Sequence, residues 1–498
     1  MSKGFFIRAL VLAIAFLVIQ LIVGCGWEAG LGFSGALFFG WCACEAARPW
    51  RSLLGLLTIS LYVKTVLFGC VLKTLLLQRV DEGVRVPAET AAVFALGFAG
   101  VFLAVLLVRV LPLPPRPLVW IPRTPRSSFV LWGAILVLGG ASWFLLFQAN
   151  IDNPFRSEVD VKATWGRIYH LPGYFSMLFP FAPAAAVFYL SQRGRQKLIT
   201  HPLVLISVLV AAVPGFLQAS KQGIMFPFAA AWIAVLVVRG PKYKPLWWMT
   251  AASVLIFIVL VYPLVQLSRG SVKGERLEFR LDDIRSVTGE LFGGTDYSAI
   301  YGEAQSSEVV EPYLPRPVAA LDRFVRYVEA SRLVEATTRQ GQYTGFFTIE
   351  WGFRQILPRF LFPDKSPVSP DHWLSEYTGD VGPDDQVTNF AYGFMAGFFN
   401  AFGYWGAFVG SALFYAGMTY WLRLFVEGRA GPTIWIVAVF LMFESQLVES
   451  CAATSLSSVW IPLPLLCYSV TVQLITSWIW PRSAGVGGRL PVQPPRSV

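Results

Sequence analysis

The sequence predicts an all-α polytopic membrane protein of about twelve transmembrane helices, with one large extracytoplasmic loop containing amphipathic helices. Three observations carry this. Only 14% of the 498 residues are charged and 55% are hydrophobic, where a soluble domain carries about 25% charged residues. Several apolar runs exceed the roughly 18 residues that mark a transmembrane helix. Basic residues recur in every second short loop, the pattern that orients helices in a bilayer.

The spans are read in order at 5–24, 29–47, 52–78, 89–112, 128–148, 171–192, 203–219, 222–239, 246–268, 392–426, 432–449 and 455–480. The 392–426 segment is too long for one simple span. Its first part, with Gly393, Gly397 and Asn400, reads as an interfacial or re-entrant lead-in. The basic start, the apolar run and Cys25 resemble a lipoprotein box, but eleven further spans favour an uncleaved first span.

Cations fix the sidedness. Lys3 and Arg8 open the chain. Arg48 and Arg51 follow the second span, Arg109, Arg116, Arg123 and Arg126 the fourth, Arg193, Arg195 and Lys197 the sixth, and Arg239, Lys242 and Lys244 the eighth. Arg423 and Arg429 flank the next inner turn, and Arg482 opens the tail. These loops read as cytoplasmic, so both termini are expected inside and 269–391 outside. That loop holds 13 Lys and Arg against 19 Asp and Glu, a net of −6, opposite in sign to the inner loops. Four regions follow: a bundle over 1–268 with spans one to nine, the loop 269–391 as expected active site, spans ten to twelve over 392–480, and a Pro-, Gly- and Arg-rich tail at 481–498, expected disordered and cytoplasmic.

Composition also excludes. The net charge of +10 sits mostly in short loops between apolar runs, so nucleic acid is not an expected partner. The loop 269–391 has no Cys and one His, and only His170, His201 and His372 occur in the chain, so neither a disulfide staple nor a metal centre is expected there. There is no phosphate-cradling loop closed by Lys-Ser/Thr and no Gly-x-Ser-x-Gly elbow. No cofactor is expected.

Within the loop, 318–339 reads as a helix with Leu321, Phe324, Val325 and Val328 on the bundle face. Helical spacing pairs Asp322 with Arg326, Glu329 with Arg332, and Glu335 with Arg339, whereas Arg323 has no acid three or four residues away. Residues 345–357 form a second amphipathic piece. Phe346, Ile349, Phe353 and Ile356 share one face, and Glu350 pairs with Arg354. Pro358 ends this helix, leaving Arg359 and Lys365 in irregular backbone among aromatics that suit the membrane–water boundary. Either lipid-headgroup anchoring or phosphate recognition fits those cations. In the spans, Lys64 and Glu444 are intramembrane charges, read as a structural pair or as substrate contacts.

The run Pro358-Arg359-Phe360-Leu361-Phe362-Pro363-Asp364-Lys365 resembles the signature of bacterial Wzy-type, or O-antigen, polysaccharide polymerases. The turn Asn400-Ala401-Phe402-Gly403-Tyr404-Trp405-Gly406 is similar to the one that follows it in that family, with Ala401 where Phe is usual. Ser220-Lys221-Gln222-Gly223 and Leu267-Ser268-Arg269 match its earlier outer turn and span exit, so the likeness covers roughly 200–425. It implies a metal-independent glycosyltransferase of the bacterial inner membrane. The enzyme would join polyprenyl-diphosphate-linked oligosaccharides at the outer face, among membrane lipids and beside flippase and chain-length regulator proteins.

That chemistry needs cations to neutralise a departing diphosphate and a base within reach of the acceptor hydroxyl. On the expected outer side, Arg359, Lys365, Arg323, Lys221 and Arg269 are the diphosphate-binding candidates. His372, Asp371 and Glu376 are the catalytic candidates, His372 favoured because an imidazole titrates near neutral pH. Asp384 and Asp385 read as a solvated turn. An O-antigen ligase or another lipid-linked glycosyltransferase would share the outer cations. A twelve-span secondary transporter would show two related halves and midplane charges.

Overall fold

The computed structural model describes residues 3–148, 170–217, 221–240, 248, 325–356, 369–382, 390, 392–428 and 433–479. The expected ninth span, Arg269, Arg323, Arg359, Lys365, Asp384, Asp385 and the tail lie outside the described residues. Among the described residues the chain is helical, with no strand.

Eight helices precede the large loop: α1 Lys3–Val23, α2 Trp27–Ala46, α3 Leu53–Leu75, α4 Pro87–Val110, α5 Pro125–Leu146, α6 Pro172–Gln192, α7 Pro202–Leu217 and α8 Lys221–Arg239. The loop contributes α9 Arg326–Gln340, α10 Phe347–Ile356 and α11 Pro370–Thr378. The chain closes with α12 Gly393–Trp405, α13 Ser411–Val426, α14 Ile434–Glu449 and α15 Ala452–Ile479. Among the described residues six helices (α1, α3, α4, α5, α6 and α15) are long and apolar enough to cross a membrane, and α7 and α8 are shorter apolar helices. By length and composition the protein belongs in a membrane.

Small residues let the helices approach closely, the usual means of packing where lipid removes the hydrophobic drive between helices. A Cβ on Gly32 of α2 would lie 2.6 Å from Ala91 Cβ of α4. Phe33, Ala36, Phe94, Phe98 and Val101 fill the core beside that seam. The expected lead-in before the tenth span is a helical arm. The chain breaks at Phe402 and Gly403, whose φ/ψ of 65°/−150° only glycine adopts readily, and Gly406 then packs back against the Phe398 carbonyl.

The loops sort to two ends. At one, Arg51 Nη2 donates to the Arg239 carbonyl at 3.2 Å and Arg239 Nη2 to the Arg195 carbonyl at 2.7 Å. Arg109 Nη1 donates to the Ala46 carbonyl, and Leu118 and Val119 pair with the backbone of Leu424 and Phe425. The loops after α2, α4, α6, α8 and α13 therefore meet. At the other end Gly26 N–H donates to Asp81 Oδ2, Val80 N–H to Gln20 Oε1, and Arg85 N–H to Ser331 Oγ of α9. The loop helices sit at this second end.

Lys64 and Glu444 form the pair that the sequence offered as one alternative. Lys64 Nζ lies 2.7 Å from Glu444 Oε1, which also accepts from Ser60 Oγ at 2.7 Å. Lys64 lies in a π-helical turn, Val63–Leu67, inside α3.

Candidate functional site

Three loop helices and the entry of the last span make one framework. Helix α11 starts cleanly because Ser369 caps it, accepting from His372 N–H at 3.1 Å, with Pro370 in its first turn. Gly379 ends it in the left-handed conformation. Its aromatic side packs on α10. Trp373 lies 5.3 Å from Phe347 and 5.4 Å from Tyr377 between ring centroids, with Trp351 alongside. Helix α10 in turn lies across the start of α15, where a Cβ on Gly352 would come within 2.7 Å of Ala453 Cα.

The described catalytic candidates divide by environment. His372 Nε2 lies 3.3 Å from Glu376 Oε1 one turn later, the His side chain 5% exposed and the Glu side chain 41%. The pair thus meets solvent through Glu376. Asp371 points elsewhere. Its buried carboxylate Oδ1 accepts from Cys451 N–H at 2.7 Å, capping the first turn of α15. Burial raises the Asp371 pKa, opposed by the hydrogen bonds from the Cys451 backbone, Thr454 and Ser450. This hydrogen bond gives Asp371 a structural task at the start of α15.

Among the diphosphate-binding candidates, Lys221 opens α8 and Gly223 lines the cavity described below. Arg269, Arg323, Arg359 and Lys365 lie outside the described residues.

Charge pairing in the loop follows helical spacing in part. Glu335–Arg339 and Glu350–Arg354 pair as expected, at 2.7 and 2.6 Å. Glu329 binds Arg326 rather than Arg332, and Arg326 also reaches Glu449 at the end of α14. Burial works against the Arg326 charge, and the two acids outweigh it, raising its pKa. Arg332 turns to Asp380 at 2.6 Å. Asp380 Oδ2 accepts from Tyr392 Oη at 2.6 Å and Thr378 Oγ1 at 2.9 Å. This network ties α9, α11 and the entry to α12 together. Helix spacing cannot reveal it, because its partners lie 48 and 12 residues apart.

The turn of the resemblance is also part of the framework. Asn400 is fully buried. Its Nδ2 donates to Thr337 Oγ1 of α9 at 2.9 Å, and Thr344 N–H donates back to its carbonyl at 3.0 Å. Gly345 N–H donates to the Ala401 carbonyl. The expected apolar face of α10 is split: Ile349 packs on the core, whereas Phe346 and Phe353 are exposed and the Ile356 side chain lies outside the described residues.

Beside this framework lies a cavity of about 470 Å³ between α6, the α7–α8 hairpin, α14 and the first turns of α15. Trp143, Tyr174, Phe226 and Trp460 contribute rings, and Ser445, Gln446, Ser457 and Ser458 contribute polar groups. The sequence reading missed it. Its signal is the hydroxyl-rich run Thr454-Ser455-Leu456-Ser457-Ser458, which stands at the mouth of an otherwise apolar span.

No family model, curated protein or solved structure matches the chain.

Proposed function

We propose that this protein polymerises lipid-diphosphate-linked oligosaccharide repeat units on the outer face of a bacterial inner membrane. Two observations support this: the solvent-reaching His372–Glu376 pair on the loop helices, and, in the neighbouring bundle, a cavity lined by aromatic rings and hydroxyls. A lipid-linked sugar offers matching parts: an apolar tail for the bilayer, ring faces for aromatics and hydroxyls for serines.

In this reading twelve helices cross the membrane, the end holding the loop helices faces outward, and both termini lie inside. The acceptor hydroxyl attacks the anomeric carbon of the donor as the bond from that carbon to the diphosphate oxygen breaks. The hydroxyl proton passes to the His372–Glu376 pair, in which the carboxylate orients the imidazole. Arg359 and Lys365 receive the departing diphosphate, aided by Arg323, Lys221 and Arg269. The step needs no metal, a reading that loss of activity in EDTA and its recovery with Mg²⁺ would overturn. Flippase and chain-length regulator proteins are the proposed partners.

The test is a deletion strain analysed for glycan ladders and complemented with wild type or Arg359→Ala. Single repeat units in the deletion strain mark lost polymerisation. Lipid-linked long chains mark lost ligation, and would make the protein an O-antigen ligase. Arg359→Ala at normal protein level is expected to lose most of the ladder, because a planar guanidinium holds phosphate oxygens in pairs. A wild-type ladder from that variant would reduce Arg359 to an anchor.

A further inference from the structure

The described residues that line the cavity include no acid and no base. A diphosphate there would meet no counter-charge, and burying an unpaired anion is strongly unfavourable. Nor is the lining that of a simple hydrocarbon slot. Ser445, Gln446, Ser457 and Ser458 face it from two helices. The Ser458 side chain is buried, at 4% residue exposure, and its hydroxyl has no hydrogen-bond partner among the described residues. A buried hydroxyl left without a partner is unfavourable unless something fills the role. Gln446 accepts at Oε1 from Ser450 Oγ at 3.1 Å, which leaves its amide N–H groups for another acceptor. Trp460 is partly exposed at the same wall. Its ring offers a flat apolar face, and the volume falls within the roughly 300–1,000 Å³ of small-molecule sites.

We infer that this cavity is a subsite for an uncharged pyranose ring, and that it discriminates against anionic sugars. This deepens the polymerase reading and rests on it for the source of the sugar. The binding itself does not depend on that reading. The hydroxyls of the ring would pair with Ser458 and Gln446, and its C–H face would lie against Trp460. A uronic acid would bring a carboxylate to a lining whose described residues hold no cation.

The test uses the full chain in lipid nanodiscs, followed by tryptophan fluorescence. The probes are the methyl glycosides of glucose, galactose, mannose, rhamnose and N-acetylglucosamine, with methyl glucuronide as the charged comparison and farnesol as the tail probe. At least one neutral glycoside is expected to give saturable quenching, with methyl glucuronide weaker by at least about tenfold because its charge stays unpaired. Trp460→Ala should remove the response and Trp478→Ala, on the exposed end of α15, should keep it. Ser458→Ala, which removes only a hydroxyl, should weaken binding while keeping the fold. Three results would each overturn the subsite: no neutral glycoside binding, glucuronide binding as well as its neutral counterpart, or farnesol displacing the glycoside. A working polymerase that fails this assay would lose the subsite and keep the function, and saturable glycoside binding in a protein without polymerase activity would do the reverse.

Discussion

The two ends of the bundle cap their helices by one rule. At the basic end, helices α2, α4 and α8 terminate, and arginines sit on their last carbonyls: Arg109 on Ala46, Arg423 on Val108 and Arg51 on Arg239. The helix that starts there, α3, meets an acid instead, since Leu53 N–H donates to Glu427 Oε1. At the loop end acids meet helix starts in the same way. Asp81 accepts from Gly26 N–H before α2, and Asp371 accepts from Cys451 N–H before α15. Cations suit helix C-termini and anions suit N-termini. The alternation of basic loops that orients a membrane protein thus also matches the helix dipoles. The ends differ in one way. The basic end has caps to backbone and one buried pair within a helix, Arg423–Glu427, whereas the loop end adds a side-chain network that joins α9, α11 and the entry to α12.

That difference predicts unequal damage. Arg332→Ala strips the cation from a network that holds Asp380, Tyr392 and Thr378, with both partners of the ion pair largely buried. Leaving a largely buried acid unpaired costs about 3 kcal/mol or more. Arg51→Ala at the other end removes one exposed cap and should cost at most about 1 kcal/mol. Thermal unfolding of the two variants in detergent separates them. Equal losses would erase the distinction between a networked end and a capped end.

What the sequence disclosed follows the same division. Helix positions were legible because apolar runs of span length stand out, and the observed helices begin and end within a few residues of the expected spans wherever both are described. Pairs one helical turn apart were legible too, as Glu335–Arg339 and Glu350–Arg354 show. Lys64 and Glu444 were found as charges in apolar spans, although 380 residues separate them. Arg332–Asp380 was hidden, because Glu329 lies three residues from both Arg326 and Arg332 and spacing alone does not choose between them. That Asp371 also accepts from the Cys451 N–H was hidden, because composition does not show which carboxylates meet a helix N–H.

A medium effect is expected at Gly403. Its backbone conformation is nearly confined to glycine, and a Cβ there would also lie 2.7 Å from Tyr343 Oη. Gly403→Ala should cost about 1–3 kcal/mol from backbone strain alone, and should loosen the Asn400–Thr337 tie that joins the turn to α9. Gly417→Ala, where a Cβ meets nothing within 4 Å, is the control. Hydrogen exchange across α9 reports the loosening directly. Unchanged protection in Gly403→Ala would show that the network holds α9 without the turn.

The smallest effect, and the one that best separates a cap from a catalyst, is at Asp371. Burial raises its pKa in the folded protein above the unfolded value. When pH rises through the unfolded pKa, the unfolded chain releases this proton while the folded chain keeps it. The contribution of Asp371 to stability is therefore fully present at pH below the unfolded pKa, and declines until the folded pKa is passed. Asp371→Asn removes that decline, because an amide does not titrate and its carbonyl oxygen can still accept from Cys451 N–H. The variant should match wild type in acid and gain on it toward neutral pH in unfolding measurements. Asp371→Ala, with no acceptor, should fall about 1 kcal/mol below Asp371→Asn at every pH, the size of a helix N-cap. Polymer made by Asp371→Asn settles the role: a cap predicts a near-normal ladder, whereas a base would leave single repeat units, since an amide cannot take the hydroxyl proton.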